Sequence, residues 1–399
     1  MRILHVNKFA YPKGGAENYM LRTASHQNSA GHHVAVLGAD PDTSMLSEDI
    51  RTFGLDVPDY HKLEGVAKLK AAKDVLWSRF AADAVDKALA AFSPDIVHLH
   101  NYAHQLSSSI ISAIRSHQIP SVCTAHDYKL ICPAYVANVN NADCFSCTIK
   151  VSPRLLREKC HHDSLAWSSV VGLEALLVRS RRMIPDRVIG PSKFMADALR
   201  SSWIGPLVDI DLVRNPVEPS GQDWVGSGGY LLYVGRLSRE KGVGELISAA
   251  GSLGVPLVVA GDGPIRTELE EIGRSKRSDV KFVGHADQST LAALRRDCLA
   301  QVVSSTWPEN APLSALEAAA DGVPLLVTAR GGLPELSTIG ARTVVLADLS
   351  SVELSRAIDA IQYIDGDLER FRTETSWDRH MDELDRVYTG QINAMRCVS

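Results

Sequence analysis

The chain has 399 residues, 45% apolar and 22% charged, with a formal net charge of −5. That length exceeds one ordinary core and suits two domains. The mildly acidic balance excludes a global basic field for nucleic acid, and no run of eighteen apolar residues offers a membrane span.

The N-terminus, MRILHVNKFAYPKGG, lacks the apolar core and small-residue cleavage site of a signal peptide and reads as a first strand. The expectation is a cytoplasmic protein with reduced cysteines. Strand-like runs follow at 33–39, 95–100, 121–126 and 187–192, then at 230–236, 256–262, 280–285, 300–306, 324–330 and 343–348. Most are continuous rather than alternating, as in strands covered on both faces. Helical patterns separate them, so the fold class is α/β with two facing, doubly wound Rossmann-like domains. The boundaries read as 1–205 for the first domain, with a cysteine-bearing insertion at 128–162. A Pro/Gly/Ser-rich hinge follows at 206–228, then a second domain at 229–375 and a closing helix at 376–399. Met381, Leu384, Val387 and Tyr388 share one face of that helix. Residues 62–80 read as one basic amphipathic helix, with a second basic patch at 179–183.

In open α/β sheets, ligands bind beyond the carboxyl ends of the strands. After the first strand, Gly14 and Gly15 open a helix in KGGAEN, either as a close-approach loop for a ligand or as simple turn punctuation. This is not the dinucleotide fingerprint G-x-G-x-x-G. His126 ends a central strand, facing the cleft or bonded within its loop. In GRLSREKG, Arg236 and Lys241 suit a diphosphate, while Arg239 and Glu240 read as solvated. GDGP brings Gly263 to a strand end, and Val283, Gly284 and His285 offer backbone groups for a base edge.

Residues 306–324, TWPENAPLSALEAAADGVP, carry two carboxylates eight positions apart, Glu309 and Glu317. Pro312 suits the first turn of a helix, leaving the Leu313 and Ser314 amides free for an anion. Asn310 and Ala311 belong to the same candidate ligand-binding stretch. Carboxylates beside a phosphate site are good acceptors for sugar hydroxyls, so the pair suggests a sugar on each side of one diphosphate.

The Glu309/Glu317 pair with VGRLSREKG, GDGP and GGLPE resembles family 4 of the retaining glycosyltransferases, which have the two-domain GT-B fold. KGGAEN, HDYKLICP, GPSKFMADAL and VRNPVE extend the resemblance over nearly the whole chain, although NAPLSAL is less glycine-rich than in many members. The resemblance implies a nucleotide-diphosphate sugar as co-substrate and a glycan or lipid-linked acceptor in cell-envelope or exopolysaccharide synthesis. It implies that Glu317 holds the ribose, Glu309 the transferred sugar, and Arg236 and Lys241 the diphosphate. His126 would contact the sugar, Gly14 and Gly15 would border the phosphate, and loop 331–335 would support the helix. No nucleophilic carboxylate is implied, so the path is front-face substitution without a catalytic metal. The base, sugar and linkage stay open. Two Asp-x-Asp spacings, Asp209/Asp211 and Asp365/Asp367, end no strand at the cleft and read as structural or solvated.

Cys132, Cys144, Cys147 and Cys160 have spacings that fit a structural tetrahedral zinc; four reduced thiols, or two that pair on oxidation, fit equally. In the family, helices such as 62–80 can rest on anionic membranes, against the plainer reading of a solvated face. A GT-B-fold nucleotide-sugar epimerase or hydrolase is the competing enzyme class, and a non-catalytic sugar-nucleotide binding protein the competing non-enzyme. The paired glutamates with GRLSREKG weigh against the first, and the intact site against the second.

Overall fold

The computed structural model describes residues 1–41, 43–55, 66–140 and 142–397. The first half supplies strands β1 (Arg2–Phe9), β2 (His33–Ala39), β3 (Arg51–Leu55), β4 (Ile96–Leu99), β5 (Ser121–Thr124), a short hairpin β6 (Asn138–Val139) and β7 (Ala142–Asp143), then β8 (Arg187–Gly190) and β9 (Asp209–Leu212). The second half supplies β10 (Leu231–Val234), β11 (Leu257–Ala260), β12 (Val280–Gly284), β13 (Ala300–Val303), β14 (Leu325–Thr328) and β15 (Thr343–Leu346).

Two all-parallel sheets result. The first runs β3-β2-β1-β4-β5-β8-β9 and the second β12-β11-β10-β13-β14-β15. The continuous apolar runs explain them: every residue of β4, β5, β11, β13 and β14 is buried, as strands with helices on both faces must be. In each sheet the order reverses at one place, between β1 and β4 and between β10 and β13. At such switch points the following loops diverge and leave a crevice. The loops after β1, β5, β10 and β13 carry the candidate residues.

The C-terminal helix Trp377–Arg396 returns to the first sheet. Leu384, Val387 and Tyr388 share a buried cluster with Ile3, Ile96, Val122 and Ile189, with Met381 packed against it. Ser376 caps its start by accepting from the Arg379 amide at 3.2 Å.

The single helix expected over 62–80 is not what forms. Residues 56–65, and with them the start of that stretch, lie outside the described residues. The remainder divides into Val66–Leu76 and Arg79–Phe92, because Ser78 turns out of helical geometry and accepts the Ala81 amide at 3.2 Å as an N-cap. In the second basic patch, Arg179 turns inward to donate to the Cys147 carbonyl at 2.6 Å, while Arg181 and Arg182 stay exposed. No described helix is long and apolar enough to cross a membrane.

Candidate functional site

Glu309 and Lys241 come together. They sit on the loops after neighbouring strands β13 and β10, and the Lys241 Nζ lies 2.6 Å from Glu309 Oε1. Both are largely withdrawn from solvent, the Glu309 side chain 7% exposed and that of Lys241 21%. The Ser305 hydroxyl donates to the same Oε1, and the Trp307 ring lies 5.0 Å from Nζ. The carboxylate is therefore held on one oxygen by two donors. Gly331 completes the support: at φ +60° its chain passes so close to Glu309 that any side chain would collide with the Glu309 carbonyl, which also accepts the Gly332 amide at 2.7 Å. Loop 331–335 thus props Glu309 itself.

Glu317 lies in the helix Leu313–Ala320, tethered at 2.5 Å by Arg295 Nη2. Arg295 is only 2% exposed and also lies 3.9 Å from Asp321. It escaped the sequence reading because it sits in an ordinary-looking charged helix, Gln288–Asp297. Pro312 is the residue before the helix, at ψ 119°, rather than within its first turn. Its carbonyl accepts the Ala315 and Leu316 amides, so Leu313 and Ser314 still supply the first two amides of the helix tip. Across the cleft, a Cβ on Gly15 would stand 3.8 Å from Leu313 Cδ1, which sets the glycine loop opposite that tip.

A cavity of about 820 Å³ opens between the halves, and Gly14, Glu17, His126, Asp127 and Arg236 line it. Arg236 is exposed and has no ion-pair partner among the described residues. Burial drives the His126 pKa down to about 3, so the imidazole is neutral, and burial pushes the Asp127 carboxyl up. Glu17 is buried and accepts from Asn7 Nδ2 at 3.2 Å. Its place in KGGAEN was legible, but not its burial beside the cavity.

Other residues of the expected donor site also bond within the protein. Asn310 spans the two halves, donating to the Ala125 carbonyl at 2.8 Å and accepting from the Ser192 hydroxyl at 2.8 Å. The Ala311 carbonyl accepts from Asn215 at 3.2 Å. Asn310 therefore joins the halves and Ala311 meets the hinge, in the stretch where donor binding is expected. Glu335 also joins the halves, accepting the Lys193 and Phe194 amides at 3.0 and 2.9 Å and pairing with Arg214 at 2.6 Å. Gly263 makes its close approach to the backbone of Leu237, not to open space. The Gly284 carbonyl accepts the Gly261 amide at 2.7 Å, while His285 is exposed beyond Val283 and Gly284. Arg239 pairs with Glu268 at the surface, but Glu240 is half-buried and holds Thr306 through its carbonyl.

Both Asp-x-Asp spacings are structural or solvated. Arg187 pairs with Asp211 at 2.5 Å and lies 3.8 Å from Asp209. Asp367 caps a helix by accepting the Arg370 amide at 2.9 Å, and Asp365 is exposed. Cys132, Cys144, Cys147 and Cys160 line one small cavity of about 20 Å³, room for a single ion. Among the described residues, however, only His5, His98 and His100 form a group of three whose ligand atoms all lie within 4.8 Å. The cysteine sulfurs stand wider apart than in a closed zinc shell.

Comparison with known proteins gives the family. Residues 13–220 match Glycosyltransferase Family 4 and residues 220–375 match Glycosyl transferases group 1. The glycogen synthase of Mycobacterium tuberculosis is 28% identical, over 90% of this chain and 86% of its own. The D-inositol 3-phosphate glycosyltransferase of Mycobacterium bovis is 27% identical, over 90% and 74%. Among solved structures, the sucrose-phosphate synthase of Thermosynechococcus elongatus superposes with a TM-score of 0.74 at 19% identity, covering 98% of this chain and 99% of that one. Anabaena HepE, solved with UDP and glucose, gives 0.60 at 17%, covering 98% and 96%. The chain belongs to glycosyltransferase family 4, has the GT-B fold and is a glycosyltransferase.

Proposed function

We propose that this family 4 enzyme moves a hexose from a nucleotide-diphosphate donor to a hydroxyl acceptor with retention at the anomeric carbon. The Lys241–Glu309 pair beside a helix tip carries the reading. A diphosphate at that tip would draw Lys241 toward itself and free a Glu309 oxygen for hydroxyls of the sugar. Arg236 adds a second cation from the cavity wall, and Glu317, fixed by Arg295, takes the ribose. In the step, the bond from the anomeric carbon to the phosphate oxygen breaks while the acceptor oxygen attacks from the same face. The departing phosphate oxygen takes the acceptor proton. Charge stabilisation and positioning supply the rate, and Arg236, Lys241 and the helix amides do what a divalent metal does elsewhere. The cavity of about 820 Å³ favours an acceptor-using transferase over an epimerase. A lipid-linked or growing glycan used at the inner face of the cell membrane is the acceptor in this reading.

Screening UDP- and GDP-sugars for slow donor hydrolysis identifies the donor, and NMR of the glycosylated product reads the anomeric configuration. Inversion, or release of free sugar only, even with polyol and glycan acceptors supplied, would overturn the proposal. The four-cysteine cavity is taken, in the same reading, as a structural zinc site that closes around its ion and stiffens the insertion.

A further inference from the structure

Three histidines form a hydrogen-bonded line behind the cavity. Gln27, in the helix Gly15–Ser29, donates from Nε2 to the Tyr388 hydroxyl at 3.1 Å, which turns its Oε1 to His5 Nε2 at 2.7 Å. An amide oxygen only accepts, so His5 carries its proton on Nε2. His5 Nδ1 is then an acceptor, and His100 Nε2 donates to it at 3.0 Å. His100 Nδ1 in turn accepts from His126 Nε2 at 3.1 Å. His126 is half-buried and lines the cavity, and Nδ1 is the nitrogen this chain of bonds leaves over.

We propose that Gln27, through His5 and His100, fixes the tautomer of His126 so that its Nδ1 lone pair meets a hydroxyl of the bound sugar as an acceptor. Gln27, His5 and His100 are positioning residues; His126 alone touches the ligand. Turning the Gln27 amide over would reverse every bond in the line and put an N–H on Nδ1 instead. With the amide so placed, Tyr388, having one proton and receiving one from Gln27, passes its own to His98 Nδ1 at 2.6 Å, and His98 Nε2 closes on Thr124 at 2.8 Å. All six ring nitrogens of His5, His98 and His100 are thereby used, so the trio reads as a satisfied network rather than a metal site. The closing helix grips His126 a second way. His380 donates from Nδ1 to the Arg214 carbonyl at 2.8 Å and accepts from Tyr19 at 3.0 Å, and the Tyr19 ring stands edge-on to His126 at 4.9 Å. A neutral acceptor adds no positive charge beside an anomeric carbon that becomes cationic in the transition state. That consequence rests on the transferase reading; the tautomer does not.

The test uses the full chain with nitrogen-15-labelled histidine, the His126 signals being assigned with His126→Gln. NMR of the unsubstituted protein is expected to show His126 protonated at Nε2 and bare at Nδ1. Gln27→Met is expected to mix the two His126 tautomers and lower kcat several-fold, with the Kd for free nucleotide unchanged. Tyr388→Phe provides the same test if Gln27→Met does not fold. A proton on Nδ1 in the unsubstituted protein, or a tautomer and kcat indifferent to both variants, overturns the proposal. An Nε2–H tautomer in a protein that transfers no sugar would uphold the relay and count against the transferase mechanism instead.

Discussion

Lys241 and Glu309 meet at 2.6 Å, each from the loop after one of two adjacent parallel strands. The cation proposed for the diphosphate and the carboxylate proposed for the sugar neutralise each other. The pair is mostly buried, so neither group is solvated well enough to be left alone cheaply. Glu309→Gln removes the charge and keeps the shape. It is expected to lower kcat by about 100-fold, with nucleotide affinity within about threefold, because the lost contact is to sugar. Lys241→Ala should weaken both diphosphate binding and rate. Unchanged turnover in Glu309→Gln, read in steady-state kinetics with competition by free nucleotide, would remove that assignment.

Arg295 ties the second carboxylate to the core. Its guanidinium is buried against Glu317 and near Asp321, and burial raises the Asp321 pKa. Arg295→Met leaves two carboxylates without their counter-charge, and removing one partner of a buried pair costs about 3–5 kcal/mol. The urea midpoint should drop accordingly; a midpoint equal to that of the parent would show that Glu317 needs no tether. Glu317→Gln, by contrast, is expected to raise the donor KM by about tenfold while leaving kcat near its starting value, the pattern of lost ground-state binding.

What the sequence made legible follows from where the information lies. Strands buried on both faces announce themselves as apolar runs, and the eleven expected strands coincide with β1, β2, β4, β5, β8 and β10–β15. β3 did not, because RTFGL at the sheet edge is mostly exposed or half-buried and has no continuous apolar run. Glu309, Glu317 and Lys241 were legible from local spacing next to strand ends. The bonds of Asn310 across the halves were not legible, since its partners Ala125 and Ser192 are more than a hundred residues away and no local pattern names them. His5, His98 and His100 look like the polar members of ordinary strands; only the pairing of β1 with β4 lines them up.

The cysteine cavity makes a prediction separate from catalysis. Protein purified without chelator is expected to carry about one equivalent of zinc, as a four-cysteine shell takes. Cys144→Ser with Cys147→Ser should lose the zinc and lower thermal stability. Less than about a tenth of an equivalent in the unsubstituted protein would leave reduced thiols as the reading. Added Mg²⁺ is expected to leave turnover unchanged, and an absolute Mg²⁺ requirement would refute the metal-free mechanism without touching the zinc site.

Buried and half-buried histidines set the response to acid. Burial lowers the pKa of His5 to about 4 and those of His126 and His380 to about 3, and holds His98 and His100 well below the ordinary value. Unfolded, each titrates near about 6.5. Between that value and the folded ones, the unfolded chain binds more protons, so stability falls as the pH falls. Each such imidazole contributes at most about 1.4 kcal/mol of loss per pH unit well below 6.5. Carboxylates protonate mainly below about pH 5, so the interval from pH 6.5 to 5.5 isolates the histidines. The urea midpoint should decline steadily across that interval and be flat above pH 7.5. His5→Gln removes one titrating group, so its midpoint, whatever its starting value, should decline less steeply. A parent midpoint that stays level from pH 6.5 to 5.5 would mean that the line behind His126 already carries a proton in the folded protein, and that the cleft histidine is not kept neutral by burial.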